Sequence, residues 1–111
     1  MTSVTERYNQ AEKLKDEGNY QQAIELLKGI LQDEPEHVLS HLALGRLYTH
    51  TGEHELAIEH GERACQLEPD DAFNFTAMSV TYQRAYAGTN DHKYIRMAED
   101  AMAKAHQLNN S

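Results

Sequence analysis

Gly18 and Gly52 stand 34 residues apart, and the same interval separates Ala23 from Ala57, Ile24 from Ile58 and Pro35 from Pro69. The stretch Gly18-Asn19-Tyr20-Gln21-Gln22-Ala23-Ile24 returns as Gly52-Glu53-His54-Glu55-Leu56-Ala57-Ile58, and Glu34-Pro35 returns as Glu68-Pro69. A period of this length predicts a stacked array of helical pairs rather than one globule. Such arrays work mainly by presenting a concave surface.

Composition agrees. Ala, Leu, Glu and Gln are abundant, and the two prolines sit at repeat ends, as in a helical protein. With 18 acidic against 10 basic residues the net charge is −8, and no basic stripe exists to displace counterions from a phosphate backbone. Nucleic acid is therefore not an expected partner. No run approaches the roughly 20 apolar residues of a membrane span, and the N-terminus has no signal-peptide pattern, so no membrane insertion is expected. Cys65 is the single cysteine and cannot form an internal disulfide, which fits a cytoplasmic protein. On an apolar helix face beside Ala64, it reads as a small buried hydrophobe.

Local signals divide the chain into six helices. Ser3-Val4-Thr5-Glu6 reads as a capping box opening a first helix that runs to about Glu17, where Gly18-Asn19 stops it. The second spans about Tyr20 to Gln32, with Ala23, Ile24, Leu27, Ile30 and Leu31 at helical spacing, and ends before Pro35. The third (about 37–50) carries Leu39, Leu42, Leu44, Leu47 and Tyr48. The fourth (about 54–67) is expected to bury Leu56, Ala57, Ile58, Ala64 and Leu67. Asp70 or Asp71 caps a fifth helix, and Asp91 a sixth whose inward face reads Ile95, Ala98, Ala101, Met102, Ala105 and Leu108. The last helix realigns with the fourth only after seven extra residues, Ala98 and Ala105 then matching Ala57 and Ala64. Seven residues make about two helical turns, most simply one added to each helix of the third pair.

These residues resemble the tetratricopeptide repeat (TPR) family, whose unit is a helix A, turn, helix B pair. In repeat two, Leu44-Gly45, Tyr48, Ala57, Ala64 and Pro69 fit the family pattern. Repeat one matches through Ala11, Gly18, Tyr20, Ala23 and Pro35, with Ile30 and Leu14 replacing an alanine and a tyrosine. Repeat three keeps Tyr82, Ala98 and Ala105, has Ser79 at a small-residue position and lacks the closing proline. The resemblance implies an all-α, right-handed α-solenoid of three antiparallel helix pairs. It covers residues 4–110 as one domain: repeat one about 4–37, repeat two about 38–71, and repeat three about 72–110 with its insertion near 86–93.

The resemblance also implies a protein–protein interaction adaptor that binds a partner peptide or helix in the groove lined by helix A. Carried over by position, that groove takes Tyr8, Asn9, Glu12 and Lys15 from repeat one. Repeat two gives Leu39, Leu42, Ala43, Arg46 and His50; repeat three gives Phe73, Thr76, Ala77, Val80, Gln83 and Arg84. Arg46 and Arg84 are candidate anchors for a partner carboxylate, alongside an apolar patch of Leu39, Leu42, Phe73 and Val80. The positions where chaperone-tail receptors of the family carry a carboxylate clamp read Tyr8, Glu12, Ala43, Phe73 and Ala77, so that role is not implied. The alternative is a self-assembling module, a homo-oligomer formed through Ile95, Met97, Met102 and Leu108 on an uncovered last helix.

Seven histidines raise the question of metal. His37 and His41 share one helix face, and His50 and His54 flank a turn, but no cluster offers three ligands at firm spacing. No glycine-rich loop follows a strand, and no nucleophile stands beside a base in a recognisable motif. Neither a metal, a cofactor nor enzymatic activity is expected.

Overall fold

The computed structural model describes residues 3–110. Among them lie six helices and no strand: α1 (Val4–Asp16), α2 (Tyr20–Asp33), α3 (Val38–His50), α4 (His54–Leu67), α5 (Ala72–Thr89) and α6 (Lys93–Asn109). Each odd helix packs chiefly on the even helix that follows, and α4 then packs on α5. The pairs stack into an α-solenoid of 43 × 33 × 21 Å.

The repeated glycines build the same ending twice. Gly18 has φ +82° and Gly52 φ +80°, a conformation costly for any residue with a Cβ. Gly18 N–H donates to Lys15 O at 2.9 Å and Asn19 N–H to Leu14 O at 2.8 Å. One repeat later, Gly52 N–H donates to Thr49 O at 3.2 Å and Glu53 N–H to Tyr48 O at 2.8 Å. This paired bonding satisfies the last carbonyls of α1 and α3 and turns the chain back. Gly29 is different: it lies inside α2 with nothing within 4 Å of where a Cβ would stand. We expect Gly52→Ala to lower stability by about 1 kcal/mol or more and Gly29→Ala to raise it by up to about 1 kcal/mol. Urea unfolding of the two variants checks the opposite signs, and equal signs would contradict this account.

Helix starts follow the sequence with local departures. Glu6 N–H donates to Ser3 Oγ at 3.1 Å, but the return bond from the Glu6 carboxylate is not made, so the box is half formed. Asp71 caps α5 through Phe73 N–H at 2.9 Å. His37 caps α3 instead of joining it, its Nδ1 accepting from Ser40 N–H at 3.2 Å. Asp91 Oδ1 accepts from Lys93 N–H at 3.2 Å, with His92 interposed before α6 begins.

Small residues let each pair cross closely. Ala11 and Ala23, Gly45 and Ala57, Ser79 and Ala98 are all buried. A Cβ at Gly45 would lie 3.4 Å from Ala57 O. At the matching place in the third pair, the Ser79 hydroxyl donates to Ala98 O at 3.0 Å, so the one polar atom at that crossing is used. Ile24, Leu27, Ile30, Leu44 and Leu47 fill the core of the first four helices. Met78, Tyr82, Ala85, Tyr94, Ala98 and Ala101 form a second cluster at the α5–α6 end.

Leu56 and Ile95 correct the sequence reading, being 38% and 40% exposed. The buried stripes run through Ala57, Gly61 and Ala64 on α4 and through Tyr94, Ala98, Ala101 and Ala105 on α6. Each exposed residue is one position off its stripe, about 100° round the helix. The third pair is the longest: α5 has 18 residues against 13 in α3, and α6 has 17 against 14 in α4. The extension brings Gly88 against the His54 ring, where a Cβ would overlap Nε2. Asn90, at φ 59°, makes the turn into α6.

Candidate functional site

The groove opens between α3 and α5 and measures about 700 Å³. α3 contributes Leu42, Gly45, Arg46, Thr49 and His50; α4 contributes Gly61; and α5 contributes Phe73, Asn74, Thr76, Ala77, Met78, Val80, Thr81 and Arg84. The expected residues Leu42, Arg46, His50, Phe73, Thr76, Ala77, Val80 and Arg84 thus share one hollow. Phe73 and Val80 are 57% and 46% exposed, an apolar wall open to solvent.

The other expected groove residues lie elsewhere. Ala43 is buried in the first core cluster because α3, in the middle of the stack, is covered on several sides. Gln83 faces a hollow between α5 and α6 with Tyr86, Ile95 and Met102, and its amide donates to Ser79 Oγ at 3.2 Å. Leu39, 52% exposed, lines a separate hollow at the α2–α3 turn with Glu34, Glu36, Glu68 and Arg63. Tyr8 packs edge-on to the His37 ring at 5.8 Å, Glu12 pairs with Lys15 Nζ at 3.0 Å, and Asn9 is exposed on α1. Burial, then the Glu12 charge, raise the Tyr8 hydroxyl above its usual pKa, while Arg46 opposes them.

Missing from the sequence reading were Gly45, Thr49, Gly61, Asn74, Met78 and Thr81. Thr49 follows Arg46 by three and Thr81 follows Ala77 by four, spacings that share a helix face and carried the signal. Gly61 and Met78 come from tertiary packing, since Met78 fills the space where a Gly61 side chain would stand.

The chemistry of the groove is one-sided. No Asp or Glu lines it, although the chain has 18 acidic residues. Among the described residues neither Arg46 nor Arg84 makes an ion pair, and both are exposed. The threonine hydroxyls are already used within their own helices: Thr49 donates to Gly45 O at 2.9 Å, Thr76 to Ala72 O at 3.2 Å and Thr81 to Ala77 O at 3.0 Å. Asn74 spends its amide on Glu68 O at 3.2 Å and Ala64 O at 3.4 Å, leaving its buried Oδ1 without a partner. The His50 ring is stacked on Tyr20 at 5.2 Å. The free donors are therefore chiefly the two guanidinium groups, set beside apolar side chains.

The residues named for self-association do not form one face. Met97 lines a hollow between α4 and α6, Ile95 and Met102 line another between α5 and α6, and Leu108 lies by the α4–α5 turn. Among the described residues, no three His, Cys, Asp or Glu side chains converge as a metal site. No helix there is long and apolar enough to cross a membrane. Burial, and secondarily Glu62, push the half-buried Cys65 thiol up to about 11, which disfavours the nucleophilic thiolate at neutral pH.

A family model described as "Tetratricopeptide repeat" matches residues 8–72. No curated protein matches the chain. Among solved structures, a crystal structure of MamA superposes with a TM-score of 0.83 at 20% identity, over 98% of this chain and 60% of that one. MamA (41-end) from Desulfovibrio magneticus RS-1 gives 0.77 at 22% identity, over 97% and 57%. A chain in a CopN–Scc3 complex gives 0.79 at 16%, over 95% and 58%. At these identities the likeness concerns the fold alone, and the chain spans less than two-thirds of each of those chains.

Proposed function

This chain belongs to the tetratricopeptide repeat family and is a protein-interaction module; on that premise we propose that its α3–α5 groove binds a partner segment carrying both apolar and acidic side chains. The observation that carries the reading is the charge segregation: two unpaired arginines and no carboxylate line this hollow in a chain of net charge −8. Apolar contacts with Leu42, Phe73 and Val80 supply affinity, and the guanidinium groups orient a carboxylate between α3 and α5. The proposal treats residues 4–110 as one non-enzymatic module, working in the reducing cytoplasm with its lone cysteine free.

The CopN–Scc3 structure is of a protein complex, which is in keeping with a protein partner for this fold. Self-association through α6 is less well supported, because its four residues are divided among three hollows. A short leucine–glutamate peptide titrated into labelled protein tests the reading by amide shifts. We expect shifts at Thr49, Ala77 and Val80, weakening as salt is added. A peptide that leaves these amides unmoved at millimolar concentration would overturn it.

A further inference from the structure

His41 and His60 form a cross-helix pair that the groove does not use. His41 on α3 is 7% exposed, and His60 on α4 is half-buried. Their Nδ1 atoms lie 3.1 Å apart, and His41 Nε2 lies 2.8 Å from the Pro35 carbonyl oxygen. A carbonyl only accepts, so neutral His41 must carry its proton on Nε2. Its Nδ1 is then a lone pair, and the hydrogen between the rings has to come from His60. The neutral pair therefore has one hydrogen-bonded arrangement: His60 Nδ1–H donates to His41 Nδ1, and His41 Nε2–H donates to Pro35 O. This relay ties α4 through α3 to the turn that ends α2.

One added proton leaves the relay intact, because His60 can take it on Nε2. The second must go to His41 Nδ1, the atom already accepting. The bond between the rings is then lost, and two cations face each other in a partly dry contact. We propose that the His41–His60 pair is a proton-operated latch, closed with at most one proton and opened by the second, that loosens α3 from α4 as the pH falls. α3 carries Leu42 and Arg46, so the same event would deform the groove wall.

The surroundings of the pair resist charging. Arg63 on α4 and His37 at the start of α3 act against a charge on His41, and Lys28 on α2 against one on His60. Glu59 favours a charged His60, and the Tyr48 ring stacks on it at 5.7 Å. Burial is the largest influence and holds both imidazoles below their ordinary value, against the Pro35 carbonyl at His41. The unfolded chain takes up these protons near pH 6.5, the folded chain only at lower pH. Stability is thus full above about pH 6.5 and falls as pH drops from there toward the folded values.

Thermal unfolding of the wild type and His60→Gln, at about pH 7.5 and about pH 5, tests the latch. A glutamine amide can donate to His41 Nδ1 but takes no proton. We expect the acid-induced fall in Tm to be larger in the wild type by about 5 °C or more. Equal falls in the two proteins would overturn the proposal. Long-range ¹H–¹⁵N imidazole spectra of the wild type give a readout that needs no variant. The expected pattern is His41 protonated at Nε2, His60 at Nδ1, and both titrating below about pH 6.5. A neutral His41 carrying its proton on Nδ1 would overturn the latch. Neither measurement depends on partner binding, so failure here leaves the groove reading standing.

Discussion

Leu44→Ala is expected to lower the free energy of unfolding by about 2–5 kcal/mol, whereas Leu39→Ala on the same helix is expected to change it by less than about 0.5 kcal/mol. Leu44 is 0% exposed and belongs to the core shared by the first four helices; Leu39 is 52% exposed at the α2–α3 turn. Truncating Leu44 removes its transfer free energy and leaves a cavity that the surrounding helices close only in part. Helical propensity favours alanine slightly at both sites, by too little to offset that cost. A domain of this size has about 5–15 kcal/mol of stability in total, so the Leu44 variant should unfold at markedly lower urea. Equal midpoints for the two variants would mean that the two leucines are not buried as described.

How much of this was legible from sequence depends on how local each signal is. The endings at Gly18 and Gly52 were readable because a positive φ and the bonds that accompany it involve only a few adjacent residues. The crossings at Gly45–Ala57 and Ser79–Ala98 were readable because Ser79 follows Gly45 by the period and Ala98 follows Ala57 by the period plus the seven-residue insertion. The groove was readable on α5, where Phe73, Thr76, Ala77, Val80 and Arg84 follow helical spacing on an open face. It was misread at Ala43 because α3 sits between neighbours and is buried over most of its circumference, from Ser40 to Tyr48. How far a central helix is turned within the stack is set by packing, not by its own periodicity. The same limit explains Gln83, which looks toward α6, and Leu56 and Ile95, each one residue off a stripe of smaller side chains or alongside Tyr94. The His41–His60 contact had no sequence signal at all. It joins residues 19 apart on different helices, with a third partner that is a backbone carbonyl.

Reversing both groove charges, Arg46→Glu with Arg84→Glu, is expected to weaken binding of an acidic, leucine-rich peptide by up to about a hundredfold. An exposed ion pair is worth at most about 1 kcal/mol, so loss of two attractions alone gives only a modest effect. Reversal also installs a repulsion of similar size at each site, and at about 0.5 kcal/mol each the four contributions sum to about 2 kcal/mol, between one and two decades in affinity. The direction of the background field matters as well. In a chain of net charge −8 an acidic peptide is repelled over most of the surface, so its binding is expected to depend on this hollow, which holds two arginines and no carboxylate. Folding should not be affected, since both side chains are exposed and make no ion pair among the described residues. Leu42→Glu combined with Arg46→Glu removes the apolar and the charged contributions together and should abolish capture. Fluorescence anisotropy over a salt series reads the difference, with the wild type losing affinity as salt rises and the double variant gaining slightly. Undiminished affinity in a double variant that still melts like the wild type would place the binding surface elsewhere on the solenoid.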